Sequence, residues 1–249
     1  MKYSLILLTF ISLLSAQTFE SVIQKLEQSP LEQRKKIIEQ YLNTKRTAPI
    51  VEQDSIIHFV LYGVADSVSV IGNLQQWLTA VPLKKIECGQ FSFFYSTFTA
   101  PPDARLDYQL IINGKFRTDP QNPRITPSGF GPHSEVQMPK FNPTPYIYYR
   151  SDIQHGVIDS LAPLLVIPPP LNHYLIPRRS IKVYRPAGYD TLSNLPTVYV
   201  HDGFEYIDFA FAPTILDNLI AEGRIPPVIA VFIPPVDRGQ EYMGNALGR

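Results

Sequence analysis

The apolar residues of this chain keep three periods in succession, and each period permits a different architecture. In the first stretch they recur at helical spacing: Phe19, Val22, Ile23 and Leu26, then Ile37, Ile38, Tyr41 and Leu42. Ser29-Pro30-Leu31-Glu32 separates the two groups. Ser29 suits a helix cap, Pro30 the first helical position, and Glu32 completes a capping box. The pattern predicts a helical hairpin or broken helix that packs on the domain behind it, with a partner-binding arm as the alternative.

From Ser55 the period changes. "IIHFVLYG", "SVSVIGNL", "QFSFFYSTFT" and "LDYQLIING" are short runs rich in β-branched and aromatic residues. Gly63, Asp66, Gly72-Asn73, Cys88-Gly89, Pro101-Pro102 and Asn113-Gly114 punctuate them. Such spacing predicts a β-sandwich of roughly a hundred residues. A connector dense in Pro and Gly follows. From about Gly156 the pattern changes again. "RRSIKVYRPAGYD" holds an alternating strand, and "LPTVYVHDG" and "VIAVFIPP" are continuous apolar strands. Between the last two, Ile215, Leu216, Leu219 and Ile220 share one helical face that stops at Gly223. Strand, helix and strand of this kind form a βαβ unit of a mostly parallel sheet.

The implied map is a signal peptide over 1–17, a helical segment over 18–48, a sandwich over 49–140, a linker over 141–155 and a partial α/β domain over 156–249. The signal reading rests on "MKYSLILLTFISLLSAQ", with Lys2, an apolar stretch from Leu5 to Leu14, and small Ser15 and Ala16. That stretch is too short to span a bilayer. The mature chain is expected to be exported, periplasmic or secreted, without a membrane segment once the signal is removed. A hydrophobic share of 45% with 18% charged residues reads as globular. Zero formal net charge removes the electrostatic argument for nucleic acid or an anionic membrane. The single cysteine, Cys88, permits neither an intramolecular disulfide nor a C-x-x-C site and reads as a small hydrophobe. No H-x-x-x-H or H-E-x-x-H pattern supports a metal, and no cofactor is implied.

The most suggestive local feature is the end of "LPTVYVHDGFEY". A buried-type strand stops on Asp202-Gly203, and a helix start follows at Phe204. Glycine lets backbone approach a ligand, and the first helical N–H groups lack intrahelical partners. Read without context, Asp202 is a helix cap in an ordinary turn.

Three stretches carry a family resemblance. "VSVIGNLQQW" with "DARLDYQLIINGKFRTDPQNP" resembles an early-set immunoglobulin-like module of the kind found in carbohydrate-binding module family 48. "RRSIKVYRPAGYD…LPTVYVHDGFEY" and "ILDNLIAEGRIPPVIAVFIPPVDRGQEY" resemble the opening of an α/β hydrolase of the enterochelin esterase-like, or esterase D-like, family. The resemblance implies that Asp202, Gly203 and Phe204 lie beside a catalytic serine and help hold the oxyanion. It also places Arg238 and Glu241 in an R-x-x-E-Y segment at the carboxyl edge of the sheet. That pair is either an active-site wall or a structural ion pair. In its intact form such a protein is a carboxylic-ester hydrolase acting on a small-molecule ester.

One departure from the family is plain. No G-x-S-x-G occurs in the 249 residues. The nucleophile, acid and base are therefore expected beyond Arg249, the chain reads as C-terminally truncated, and alone it is expected to be inactive. His201 precedes the turn and is out of chain order for a triad base; it reads as a polar strand-end residue. A reading from another class makes the sandwich a carbohydrate- or ligand-binding module. Trp77, the only tryptophan, then either stacks on a sugar or packs between strands.

Overall fold

The structure, a computed structural model, describes residues 17–45, 48–164, 179–235 and 238–242. Residues 1–16, which hold nearly all of the expected signal peptide, lie outside them. The chain divides into two compact units. The first runs through Thr126 and takes in Pro132–Phe141; the second comprises Pro127–Gly131 and the chain from Asn142 onward.

In the first unit, helices α1 (Phe19–Gln28) and α2 (Leu31–Lys45) form the helical hairpin. Thr18 caps α1, its Oγ1 accepting from Ser21 N–H at 3.3 Å. The Ser29 hydroxyl turns back to donate to the Lys25 carbonyl at 2.6 Å, so it closes α1. Ten strands follow among the described residues: β1 (Ile50–Glu52), β2 (Ile56–Gly63), β3 (Val68–Gly72), β4 (Val81–Pro82), β5 (Lys84–Cys88), β6 (Phe91–Thr99), β7 (Arg105–Ile112), β8 (Lys115–Arg117), β9 (Ile125–Thr126) and β10 (His133–Gln137). One sheet has the order β1-β2-β6-β5; the other has β4-β3-β7-β10-β9, with β8 added on β7.

Alternation along β2 explains the layering. Ile57, Phe59 and Leu61 point into the core between the sheets, against Val68, Val70, Tyr108 and Leu110. Val60 belongs with Phe93, Ile86 and Cys88, which meet Phe19, Val22, Leu26, Ile38 and Tyr41 of the helices. Both faces of β2 are thus buried, and this is why its sequence is almost continuously apolar. Burying side chains such as Val22, Leu26 and Ile38 stabilises the hairpin's seat by about 1.5–3 kcal/mol each. The helical segment therefore packs on the sandwich, and Cys88 is the small buried residue expected.

In the second unit, β11 (Val157–Leu164), β12 (Arg179–Arg185), β13 (Thr197–His201), α3 (Gly203–Asp208), α4 (Ala212–Ala221), β14 (Ile229–Ile233) and α5 (Arg238–Tyr242) follow in turn. The strand order is β11-β12-β14-β13. Among the described residues only β13 and β14 run parallel; β11 with β12 and β12 with β14 are antiparallel. The expectation of a mostly parallel sheet is corrected accordingly. The βαβ pattern begins only at β13, where α4 supplies the crossover helix that parallel pairing requires. Tyr184, Ala230 and Phe232 form the buried centre, with Val200, Ile207, Leu216 and Ile220 packed around them.

Candidate functional site

Because β13 and β14 are parallel, their carboxyl ends share one edge, the place where open α/β sheets bind ligands. The chain leaves β13 through Asp202, whose backbone is left-handed at φ 54° and ψ 32°. Glu205 and Tyr206 N–H groups both donate to the Asp202 carbonyl, at 2.9 and 3.2 Å. Among the described residues, the N–H groups of Gly203 and Phe204 are taken up neither by α3 nor by a side-chain cap. Gly203 is buried, and a Cβ there would fall on the Ile233 nitrogen and 2.6 Å from Phe232 Cα. Glycine is required because the turn rides directly on the β14 backbone. Lys182 Nζ lies 4.4 Å from the centroid of the Phe204 ring.

The Asp202 carboxylate does not cap α3. It accepts instead from Arg238 Nε at 2.9 Å and from Nη2 at 2.8 Å. Nη2 also donates to Glu205 Oε1, and Nη1 donates to the Gly129 carbonyl at 3.1 Å. Phe130 lies under the guanidinium, 5.3 Å from ring centroid to Cζ. Hydrogen bonds to Glu205 and then to Asp202 push the Arg238 pKa further up, so the guanidinium is a fixed positive charge. The structure thus brings Asp202, Gly203, Phe204 and Arg238 together. Glu241 sits on α5 and is exposed.

Sequence reasoning did not anticipate Glu205, Gly129 or Phe130 in this cluster. Glu205 stands three residues after Asp202 at the start of α3, a spacing that puts both carboxylates on one side of the turn. Gly129 and Phe130 carry no local signal beyond their place in "PSGFGP".

A second polar centre was also not anticipated. Asp217 of α4 is buried and accepts from Gly156 N–H at 2.8 Å and Tyr184 Oη at 2.7 Å. His155 Nδ1 lies 3.0 Å from its other oxygen, and His155 Nε2 donates to the Arg150 carbonyl at 2.8 Å. Burial and this bond to Asp217 raise the Tyr184 pKa. The neighbouring Asn218 donates to the carbonyls of Tyr146 and Tyr148, at 2.7 and 2.9 Å. These bonds tie residues 146–156 to α4. Among the described residues Asp217 is bonded to His155, Gly156 and Tyr184, and these bonds hold the segment before β11 and the strand β12 to α4.

Trp77 stands apart from both. It is half-buried, with a left-handed backbone at φ 58°, and its ring meets His133 at 4.5 Å. Its ring thus packs on a residue of strand β10. Trp77 follows the helix-like turn at 73–75, which leaves β3. Among the described residues no cluster of His, Cys, Asp and Glu is arranged to hold a metal. No described helix is long and apolar enough to cross a membrane.

Comparisons with known proteins bear on the second unit most directly. A family model described as "Putative esterase" matches residues 173–248. Among curated proteins, none matches this sequence. Among solved structures, the enterobactin esterase FES from Shigella flexneri, solved in the presence of enterobactin, is 15% identical with a TM-score of 0.53. It aligns with 80% of this chain and 58% of its own. Ferric enterobactin esterase from Salmonella typhimurium is 15% identical with a TM-score of 0.55, covering 82% of this chain and 60% of that one. Enterochelin esterase from Shigella flexneri, at 14% identity and a TM-score of 0.54, covers 84% and 61%. This chain thus spans about three-fifths of the length of these relatives. Residues 173–248 thus match the "Putative esterase" model, and the fold is similar to that of the enterochelin esterases.

Proposed function

We propose that this chain supplies the carbonyl-binding side of a serine carboxylic-ester hydrolase of the enterochelin esterase type, acting on a small-molecule ester. The observation that carries the reading is the Asp202-Gly203-Phe204 turn at the carboxyl edge of the parallel β13–β14 pair, with two amide hydrogens not taken up by the helix they open. In ester hydrolysis a nucleophilic oxygen adds to the carbonyl, and negative charge develops on the carbonyl oxygen. The Gly203 and Phe204 amides would hold that oxyanion. Loss of one such donor typically costs about 2.7–4 kcal/mol of transition-state stabilisation. Arg238 pairs with both Asp202 and Glu205 beside the turn and would offset part of the negative charge that they set against the developing oxyanion.

The 249 residues contain no G-x-S-x-G, so the attacking serine and its histidine base are assigned to neither unit. The purified 249-residue chain should not turn over p-nitrophenyl acetate and should not be labelled by a fluorophosphonate. Turnover blocked by that probe, with a labelled serine inside these residues, would overturn this assignment. Export through residues 1–17 belongs to the same proposal; amino-terminal sequencing of the protein from its native cell tests it, with a start near Gln17 expected.

A further inference from the structure

Pro127–Gly131 lies outside the family-matched residues 173–248, yet it packs within the same unit. The segment is tightly built. Ser128 Oγ donates to the Gly131 carbonyl at 2.7 Å and accepts from Phe130 N–H at 3.2 Å. Gly131 N–H donates to the Ser128 carbonyl at 3.1 Å, with Gly131 in the left-handed region at φ +98°. Gly129 and Phe130 both meet the Arg238 cluster. The Gly129 carbonyl accepts from Nη1, the Phe130 ring lies against the guanidinium, and a Cβ on Gly129 would fall on Arg238 Nη1 and the Glu205 carboxylate. Despite this anchoring Phe130 is 72% exposed.

We propose that Pro127–Gly131 is a wall of the ester-binding site, with Arg238 as its positioning residue and Phe130 as the side chain that selects the group next to the ester carbonyl. The inference rests on the esterase reading above. One guanidinium joins the two halves: the carboxylate of Asp202, whose following amides face the carbonyl, and the carbonyl of Gly129, which precedes the exposed ring. A ring held in place before binding loses little freedom when a ligand covers it. Such a wall favours esters carrying an aromatic or bulky apolar group over acetyl esters. Of the guanidinium's four partner residues described, Asp202, Glu205, Gly129 and Phe130, two belong to the segment.

Two measurements on the 249-residue chain test this. Hydrogen–deuterium exchange of residues 127–131 should rise at least tenfold in Arg238→Met while the remaining peptides stay protected. Gly129→Ala, which displaces the guanidinium without removing it, should give the same local rise and serves if Arg238→Met does not fold. Unchanged exchange in 127–131 overturns the positioning role. Acetamide and benzamide, which present a carbonyl but are not hydrolysed, then probe the wall by saturation-transfer NMR. Benzamide should be held at least fivefold more tightly than acetamide, and Phe130→Ala should abolish that preference without changing acetamide. Equal retention of the two amides, or a preference that survives Phe130→Ala, overturns the wall. Failure to hold either amide would count against the esterase reading itself, and the exchange data would still decide the role of Arg238.

Discussion

At the residue scale the account turns on a few side chains whose neighbours leave little choice. Gly203 is the clearest. Its Cβ position is occupied by the β14 backbone, which cannot yield as a side-chain end could. Gly203→Ala should lower unfolding free energy by about 1–3 kcal/mol, the usual cost of overpacking, read as a reduced urea midpoint. A change below about 0.5 kcal/mol would mean that the turn is not seated on β14 as described. His58 gives a pH prediction in the other unit. It is buried, stacked on Phe19 at 3.9 Å, with Nδ1 2.9 Å from Thr97 Oγ1. Its Nε2 lies 3.6 Å from Glu52, an ion-pair separation too long for a hydrogen bond. Burial lowers the His58 pKa, and this outweighs the opposite pull of Glu52. Between that lowered value and the ordinary 6.5 the unfolded chain binds the proton and the folded chain does not. Stability contributed here is therefore lost as pH falls below about 6.5, with a slope of at most about 1.4 kcal/mol per pH unit. The urea midpoint should drop between pH 7.5 and 5, and His58→Phe, which keeps the stack, should flatten the drop. Identical pH profiles for the two proteins would contradict this.

At the element scale, the parts with a strong period were legible and the parts defined by tertiary contacts were not. The helical hairpin, the sandwich strands and the β13–α4–β14 unit follow from apolar spacing, because each buries a continuous face. The sheet's antiparallel half did not follow: an alternating strand such as β12 reads the same whichever way its neighbour runs. The Asp202 turn was legible as a place, since Asp-Gly after an apolar strand is a local signal. Its partners were not, because Gly129 and Glu205 reach Arg238 from distant or unmarked positions, and no periodicity encodes such a meeting. Residues 146–156 show the same limit. They read as a connector, but Asn218 and Asp217 hold them on α4. Asn218→Ala removes both hydrogen bonds to the Tyr146 and Tyr148 carbonyls and should cost about 0.5–1.5 kcal/mol per bond, with amide exchange in 146–149 rising first. Exchange unchanged there would show that the connector keeps its path without α4.

At the scale of the whole molecule, the second unit presents β13 as an edge strand among the described residues, with Val198 47% and Tyr199 66% exposed. Unpaired edges of this kind invite pairing with another chain. Purified chain should therefore self-associate with rising concentration in light-scattering chromatography, and Val198→Lys should suppress it; a monomer at all concentrations would contradict the open edge. The same edge leads directly into the Asp202 turn, so fold and proposed chemistry meet at one end of one strand. The most direct test of the central claim is a titration of the ¹⁵N-labelled chain with acetamide, read at the Gly203 and Phe204 amides. The account predicts that these two signals move together and saturably while those of Glu205 and Tyr206, already bonded to the Asp202 carbonyl, stay in place. Static Gly203 and Phe204 signals throughout the titration would contradict it.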